Sequence, residues 1–343
     1  MSPLQQALVE TAGRLLGDLC PPAVVNAADP GGIALELWTA IEKCGLHRAC
    51  LTEAAGGADL TPGDTLPMVS AFARFAAPVP IAEALLAAML LERAGVGVPP
   101  GIVSLAEAAV SLSRGATGRA RAAYARHAGH LVLWHPEGTG LRIALLDATG
   151  LAPRRAENIA GEPRDSFELA KAPLLATGDI PMSAEELLAH CALMRAAQLV
   201  GAMEKTLDLA IEHVTTRTQF GRPLSAFQAV QHGLALAFGQ IAAARAAVEA
   251  AGAPGLERPR FLAVAAAKIR AGKAGAAVAR AAHQALGAMG YTHEHPLHQY
   301  TRRIWSWRDE FGSESEWARR LGAAARSKSA LEFWAWITDT GVA

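Results

Sequence analysis

Arg217-Thr-Gln-Phe-Gly-Arg-Pro-Leu-Ser-Ala-Phe-Gln-Ala-Val-Gln-His232 joins an arginine, a glycine turn and two glutamines in one short stretch. Arg217 closes an apolar helical run, Gly221 and Pro223 interrupt it, and Gln228 and Gln231 share a face of the helix that follows. A guanidinium offers two parallel donors to phosphate oxygens, and a glycine lets a ligand reach the backbone without a side chain in the way. These residue types suit a ligand that carries a pyrophosphate. By type alone they suit a capping turn with a surface arginine equally well.

A second stretch, Gln284-Ala-Leu-Gly-Ala-Met-Gly-Tyr-Thr-His-Glu-His-Pro296, follows one helix later. The pattern Arg-x-x-Phe-Gly-(x)6-Gln-x-x-Gln after a long helix resembles the signature of the acyl-CoA dehydrogenase family. The second stretch resembles that family's Gln-x-x-Gly-Gly-x-Gly-Tyr-x-x-Glu-x-Pro segment. Trp38 to Gly45 and then Glu53-Ala-Ala-Gly-Gly57 resemble its N-terminal helix and its Pro-Glu-x-x-Gly-Gly turn. The likeness covers most of the chain and is strongest after about residue 190.

Composition agrees with a globular enzyme subunit. The 343 residues are 51% hydrophobic and 19% charged, enough to bury a large core and unlike a disordered chain. Lys plus Arg equals Asp plus Glu at 32 each, and the basic residues are scattered, so no footprint for nucleic acid or anionic lipid emerges. Cys20, Cys44, Cys50 and Cys191 form no CxxC pair and sit in apolar helical runs, as reduced buried thiols of a cytoplasmic protein do. The start of the chain shows no basic region followed by an apolar run, and no uninterrupted apolar stretch reads as membrane-spanning. The expectation is a cytoplasmic protein that touches neither membrane nor nucleic acid.

Patterning divides the chain into three. Residues 1–98 alternate apolar and polar at helical spacing, with breaks at Pro21-Pro22, Pro30-Gly31-Gly32, Gly56-Gly57, Pro78 and Pro80. Residues 99–180 change to short runs such as Gly101-Ile-Val-Ser-Leu105, His130-Leu-Val-Leu-Trp134 and Leu141-Arg-Ile-Ala-Leu-Leu146, which predict strands. Residues 181–343 return to alanine-rich amphipathic segments, roughly 184–217, 225–251, 259–288 and 314–337, which predict a four-helix bundle. A mainly α chain with a helical N-terminal domain, a small β-barrel-like middle domain and a helical bundle is also the layout that the resemblance implies.

The resemblance further implies flavin-dependent α,β-dehydrogenation of an acyl-CoA thioester. A carboxylate removes the α-proton, a flavin takes the β-hydrogen as hydride, and FAD is the cofactor. It assigns Arg217, Gln219, Phe220, Gly221, Gln228, Gln284, Gly287 and Gly290 to FAD. It also implies an oligomer and an acceptor such as an electron-transfer flavoprotein.

Two departures stand against self-sufficiency. The family's Glu-Gly-Thr tripeptide falls on Phe311-Gly-Ser313, and the alternative base position on the long helix falls on about Cys191, so neither place holds a glutamate. Glu310 is the nearest substitute, as a displaced base or as part of a solvated acidic run. In the middle domain, Ser104-Leu-Ala-Glu-Ala-Ala109 and Gly118-Arg-Ala-Arg-Ala-Ala-Tyr124 stand where the family shows Thr-Glu-Pro-x-Ala-Gly-Ser-Asp and later a Trp-Ile-Thr tripeptide. Ser104 keeps at most one hydroxyl for the flavin ring. The resemblance then implies the incomplete subunit of a heteromeric α2β2 enzyme, whose retained segments reach the adenosine diphosphate half of a neighbour's FAD. A self-sufficient homo-oligomer using Glu310, and a non-catalytic member of the fold that binds acyl-CoA or steadies a partner, are the alternatives.

Smaller signals are weaker. His293-Glu-His-Pro-Leu-His298 misses the spacing of a zinc helix, because Leu297 stands where the second histidine belongs and Pro296 breaks the helix, so no metal is expected. Trp305, Trp307, Trp317, Trp334 and Trp336 read as core or subunit packing. Arg302, Arg303 and Arg308 suit either CoA phosphates or the coat of a helix.

Overall fold

The computed structural model describes residues 2–112, 115–253 and 258–338. Five helices come first: α1 (Pro3–Leu19), α2 (Pro22–Ala28), α3 (Leu35–Lys43), α4 (Leu66–Arg74) and α5 (Ile81–Arg93). Their starts are written in the sequence. Ser2 and Gln5 make a reciprocal capping box at α1, and prolines stand in the first turn of α1, α2 and α4, where a missing N–H costs nothing. Every residue of α5 from Ile81 to Leu91 is buried, so it is a core helix of this domain.

Six strands follow: β1 (Val103–Ser111), β2 (Ala116–Ala123), β3 (His130–Glu137), β4 (Gly140–Asp147), β5 (Arg164–Ala172) and β6 (Leu174–Ile180). They form one sheet in the order β5-β2-β1-β3-β4-β6. β1 joins its two halves, with Val103–Leu105 parallel to β3 and Ala106 onward antiparallel to β2. The predicted runs 130–134 and 141–146 lie within β3 and β4, and the run 101–105 enters β1 at Val103. The departure segment Gly118–Tyr124 supplies most of β2, whose alternation buries Ala116, Ala120 and Ala122 and turns Arg119 and Arg121 outward.

The remaining helices are α6 (Ala184–Thr216), α7 (Gln228–Ala251), α8 (Phe261–Leu286), α9 (Leu297–Asp309), α10 (Glu314–Arg326) and α11 (Ala330–Thr338). A two-residue hairpin, β7 (Thr218–Gln219) with β8 (Arg222–Pro223), separates α6 from α7. Ser183 caps α6 and accepts the Glu186 N–H, with Glu185 and Glu186 complementing the dipole of the first turn. Its 33 residues span roughly 50 Å. Buried without a break from Ala189 to Met203, α6 is the pillar on which α4, α8 and α9 pack.

The crossing of α6 and α4 depends on Gly201, where a Cβ would lie 2.0 Å from the Ser70 carbonyl oxygen. Gly201→Ala is expected to force the two helices apart and to cost about 1–3 kcal/mol. A thermal denaturation midpoint equal to that of the parent would contradict this.

Two expectations need correction. The segment predicted over 314–337 is two helices, because Ser327-Lys-Ser329 ends α10 and begins α11. Helix α9 lies outside all four predicted segments: its five charged or amide side chains hide the period, since Gln299 and Arg303 are buried in hydrogen bonds and ion pairs instead of facing water. Helix α7 is long and apolar enough to cross a membrane by length and composition, with mean hydropathy 1.3, although Gln231, His232, Gln240, Arg245 and Glu249 interrupt its apolar run. Only Arg245 and Glu249 charge it. Here it lies against α8 and α6 through Ala237, Ile241, Ala244, Val248 and Ala251, while Leu236 and Phe238 stay 70% and 64% exposed.

Candidate functional site

At the end of α6 the chain turns back on itself. The Arg217 N–H caps the helix on the His213 carbonyl, and the Leu224 N–H returns to the Arg217 carbonyl. Between them Phe220 and Gly221 take φ values of 52° and 77°, the pair of left-handed residues that a two-residue hairpin requires. Glycine adopts this freely. Phe220 does not, and its ring is 87% exposed. The Arg222 guanidinium stacks on Phe227, 4.1 Å from the ring centre, which fixes the far side of the hairpin.

Arg217, Gln219, Gly221 and Gln228 are exposed, and among the described residues the side chains of Arg217, Gln219 and Gln228 have no acceptor or donor within the chain. Gln231 donates to the Ser225 carbonyl, so it braces the turn. Helix α7 has Phe227 as its N-cap without a side-chain bond; the Val230 and Gln231 N–H groups donate to the Phe227 carbonyl, which leaves those of Gln228 and Ala229 to outside acceptors.

The second predicted segment sits at the same end of the bundle. Gln284 is exposed in the last turn of α8. Gly287 adopts φ 59° with ψ −136°, a conformation confined to glycine. Gly290 is buried, and a Cβ there would come within 3.2 Å of His283, Leu286 and Leu297. Ala210, Ala282, Leu286 and Leu297 make a small separate core, with Leu234 of α7 against it, and so clamp the ends of α6, α7, α8 and α9 together. The eight residues assigned to FAD therefore occupy one end of one bundle.

The base positions lie elsewhere. Phe311 and Cys191 both line a cleft of about 820 Å³ between the sheet, at Leu105, Ala106 and Trp134, and the helices, at Leu187 and Leu188. After α9 the chain passes through Phe311 at φ 56° and Gly312 at φ 99° into Ser313, which caps α10. The Trp317 indole N–H holds the Phe311 carbonyl at 2.9 Å, and the Arg195 guanidinium lies 5.3 Å from the Phe311 ring centre. Burial pushes the Cys191 thiol far above its ordinary range, so it is neither thiolate nor base at neutral pH.

Glu310 is the displaced candidate, and its surroundings argue against a base. Arg164 binds it in two places, Nε at 2.8 Å and Nη2 at 3.1 Å, and Arg195 Nε donates at 2.7 Å. Burial alone would push its carboxyl up, but Arg164 and Arg195 outweigh that and hold it at about 2. A carboxylate so stabilised has little tendency to take a proton from a weak carbon acid.

Glu310 is one link in a buried chain of alternating charge. Glu83 of α5 meets Arg195 of α6 at 2.5 Å, Arg195 meets Glu310, Glu310 meets Arg164 of β5, and Arg164 meets Glu162 at 3.0 Å. Arg303 of α9 continues it to Glu162 at 3.2 Å and to Asp29 at 3.6 Å, and Arg302 closes on Asp29 at 2.7 Å. Helices of both helical regions and the sheet are thereby joined by ion pairs. Arg302 and Arg303 are neither a phosphate site nor a helix coat, because their guanidinium groups belong to this chain. Arg308 pairs with Glu314 at 2.5 Å.

Sequence reasoning missed Arg195, Arg164, Glu162, Glu83 and Asp29. The signal was a single arginine inside the apolar run Ala189–Ala202, a position that demands a buried partner. Ser104, the residual candidate for the flavin ring, is fully buried and donates to the Ala123 carbonyl at 2.7 Å. The residues around the cleft therefore do not fit a flavin ring, whereas those at the bundle end fit the phosphates of one. Of the tryptophans, Trp307 and Trp317 are core, with the Trp307 N–H on Glu162 at 3.0 Å, and Trp334 is 65% exposed on α11.

Residues 182–324 match the family described as acyl-CoA dehydrogenase, C-terminal domain. The chain is 29% identical over 330 residues to acyl-CoA dehydrogenase IpdE2 of Mycobacterium tuberculosis, covering 92% of this chain and 96% of that protein. It is 30% identical over 311 residues to acyl-CoA dehydrogenase FadE34 of the same organism, which takes in 85% of this chain but only 42% of FadE34. Its fold is similar to a chain in the crystal structure of the ChsE4-ChsE5 complex from Mycobacterium tuberculosis, with a TM-score of 0.87 at 23% identity, covering 96% of this chain and 99% of that one.

Proposed function

Since this chain belongs to the acyl-CoA dehydrogenase family, we propose that it is the subunit that completes a partner chain's FAD site, in an enzyme for α,β-dehydrogenation of an acyl-CoA thioester. The observation that carries the reading is the state of Glu310, with two arginines bound and Phe311 beside it at the usual base position. A chain with its own base position closed and its phosphate-facing donors unengaged is suited to serve a flavin held elsewhere.

FAD, when bound, supplies the hydride acceptor. What this chain brings is binding and orientation. Arg217 presents a planar pair of donors to phosphate oxygens, Gln219, Gln228 and Gln284 add amide donors, Gly221 and Gly287 keep the path of the backbone close and unobstructed, and Gly290 lets the second segment pack on His283, Leu286 and Leu297 beneath it. Phe220 offers an exposed ring that a neighbouring subunit can cover. The partner's carboxylate takes the α-proton.

The outward face of α7 supports association. Leu236 and Phe238 beside a row of alanines make a surface that water covers poorly and another helix covers well. That ChsE4-ChsE5 is named as a complex agrees with the same reading. An electron-transfer flavoprotein fits as acceptor.

Pulling the tagged chain from its native host and weighing the complex by mass spectrometry is expected to yield a second acyl-CoA dehydrogenase chain in equal amount. Recovery of this chain alone, with flavin bound, would end the proposal.

A further inference from the structure

The segment after α8 is held by rings. Residues 287–294 are exposed apart from Gly290, and few apolar contacts dock them. Every second residue from 291 to 295 instead places a ring against a different helix. Tyr291 stacks on His283 of α8, with ring centres 4.5 Å apart and planes 24° apart. His293 meets His298 of α9 at 4.7 Å, and His295 meets His213 in the last turn of α6 edge-on at 6.5 Å.

Two of these imidazoles act as acceptors. His295 Nδ1 receives the Leu297 N–H at 3.2 Å, which starts α9, and His298 Nδ1 receives an Arg302 Nη2 donor at 3.3 Å. An imidazolium has no acceptor nitrogen. Protonation would therefore break both bonds and set His298 against the Arg302 guanidinium. The charged and titratable groups around them add little relief: His298 faces Arg302, His293 and Arg303, and His295 faces His213 with Glu212. His283 Nδ1 and His298 Nε2 are buried with no hydrogen-bond partner among the described residues, so neither ring has a carboxylate waiting to hold its charge.

We propose that residues 287–296 form an acid-released clasp, docked on α6, α8 and α9 at neutral pH through these three ring pairs and undocked when the imidazoles take up protons. The clasp itself stands on this geometry. Its consequence, that acid loosens the segment carrying Gly287 and Gly290 from a neighbour's FAD, rests on the proposed function.

The sign follows from burial. Burial holds His283 and His295 below the ordinary histidine value, and burial followed by Arg302 holds His298 at about 4. The released segment binds protons more readily than the docked one, so docking is complete above the ordinary histidine value near 6.5 and is lost as the pH falls toward 4.

Hydrogen–deuterium exchange on the full chain tests this at pH 7.5 and pH 5.0, with exchange corrected for intrinsic rate. Peptides covering 287–297 should exchange about tenfold or more faster at pH 5.0, while peptides within α8 keep their protection. In the chain carrying His295→Gln and His298→Gln, whose amides accept but do not titrate, that difference should shrink. Equal protection at both pH values overturns the clasp, and so does loss spread evenly through α8, which would be global acid unfolding. Flavin retention by the complex, measured in parallel, separates the two ideas: a segment that loosens without release of flavin leaves the clasp standing and contradicts the proposed function.

Discussion

Arg217→Ala in the co-assembled complex is expected to weaken FAD retention by about ten- to a hundredfold and to leave the fold untouched. The size follows from charge-assisted hydrogen bonds to phosphate, worth roughly 1.5–3 kcal/mol, with each 1.4 kcal/mol a factor of ten. The neutral effect on folding follows from exposure, since among the described residues Arg217 has no side-chain partner to lose. Arg217→Lys should recover only part of the affinity, because a lysine keeps the charge and loses the two-pronged donor. Titration of FAD into the stripped complex reads both. Unchanged affinity in the alanine variant would remove the hairpin from the cofactor site.

Glu310→Gln is expected to destabilise the chain by about 3–5 kcal/mol, the cost of leaving one positive charge of the buried network uncompensated, although Arg195 keeps Glu83 and Arg164 keeps Glu162. Arg164 and Arg195 both rely on Glu310, and both are buried. The same pairs set the pH dependence. A carboxyl held at about 2 contributes stability that is complete above the ordinary glutamate range and is lost as the pH falls toward 2. Urea unfolding of the variant measures the loss directly. Were the variant as stable as the parent and its complex inactive, Glu310 would be a base after all.

The fold was legible because its devices are local. Helical period, prolines in first turns, the Ser183 cap and the hairpin at Phe220-Gly221 can each be read from a few neighbouring residues. The bundle end was legible for the same reason, since Arg217, Gln228, Gln284 and Gly287 fall in two short segments. Glu310 was read from its place beside Phe311, which is a statement about sequence; its partners lie 115 and 146 residues away. Period fails for α9 as well, where Gln299, Arg303 and Ser306 are inside because ion pairs and hydrogen bonds admit them. Long-range polar pairing has no local pattern, and a single arginine in an apolar helix is its one visible trace.

Flavin content per chain tests the division of labour most directly. Purified alone, the chain should show no flavin absorbance and no acyl-CoA-dependent dye reduction. Co-purified with its partner, it should yield one FAD for each pair of unlike chains. A yellow, acyl-CoA-reducible protein obtained from this chain alone would contradict it.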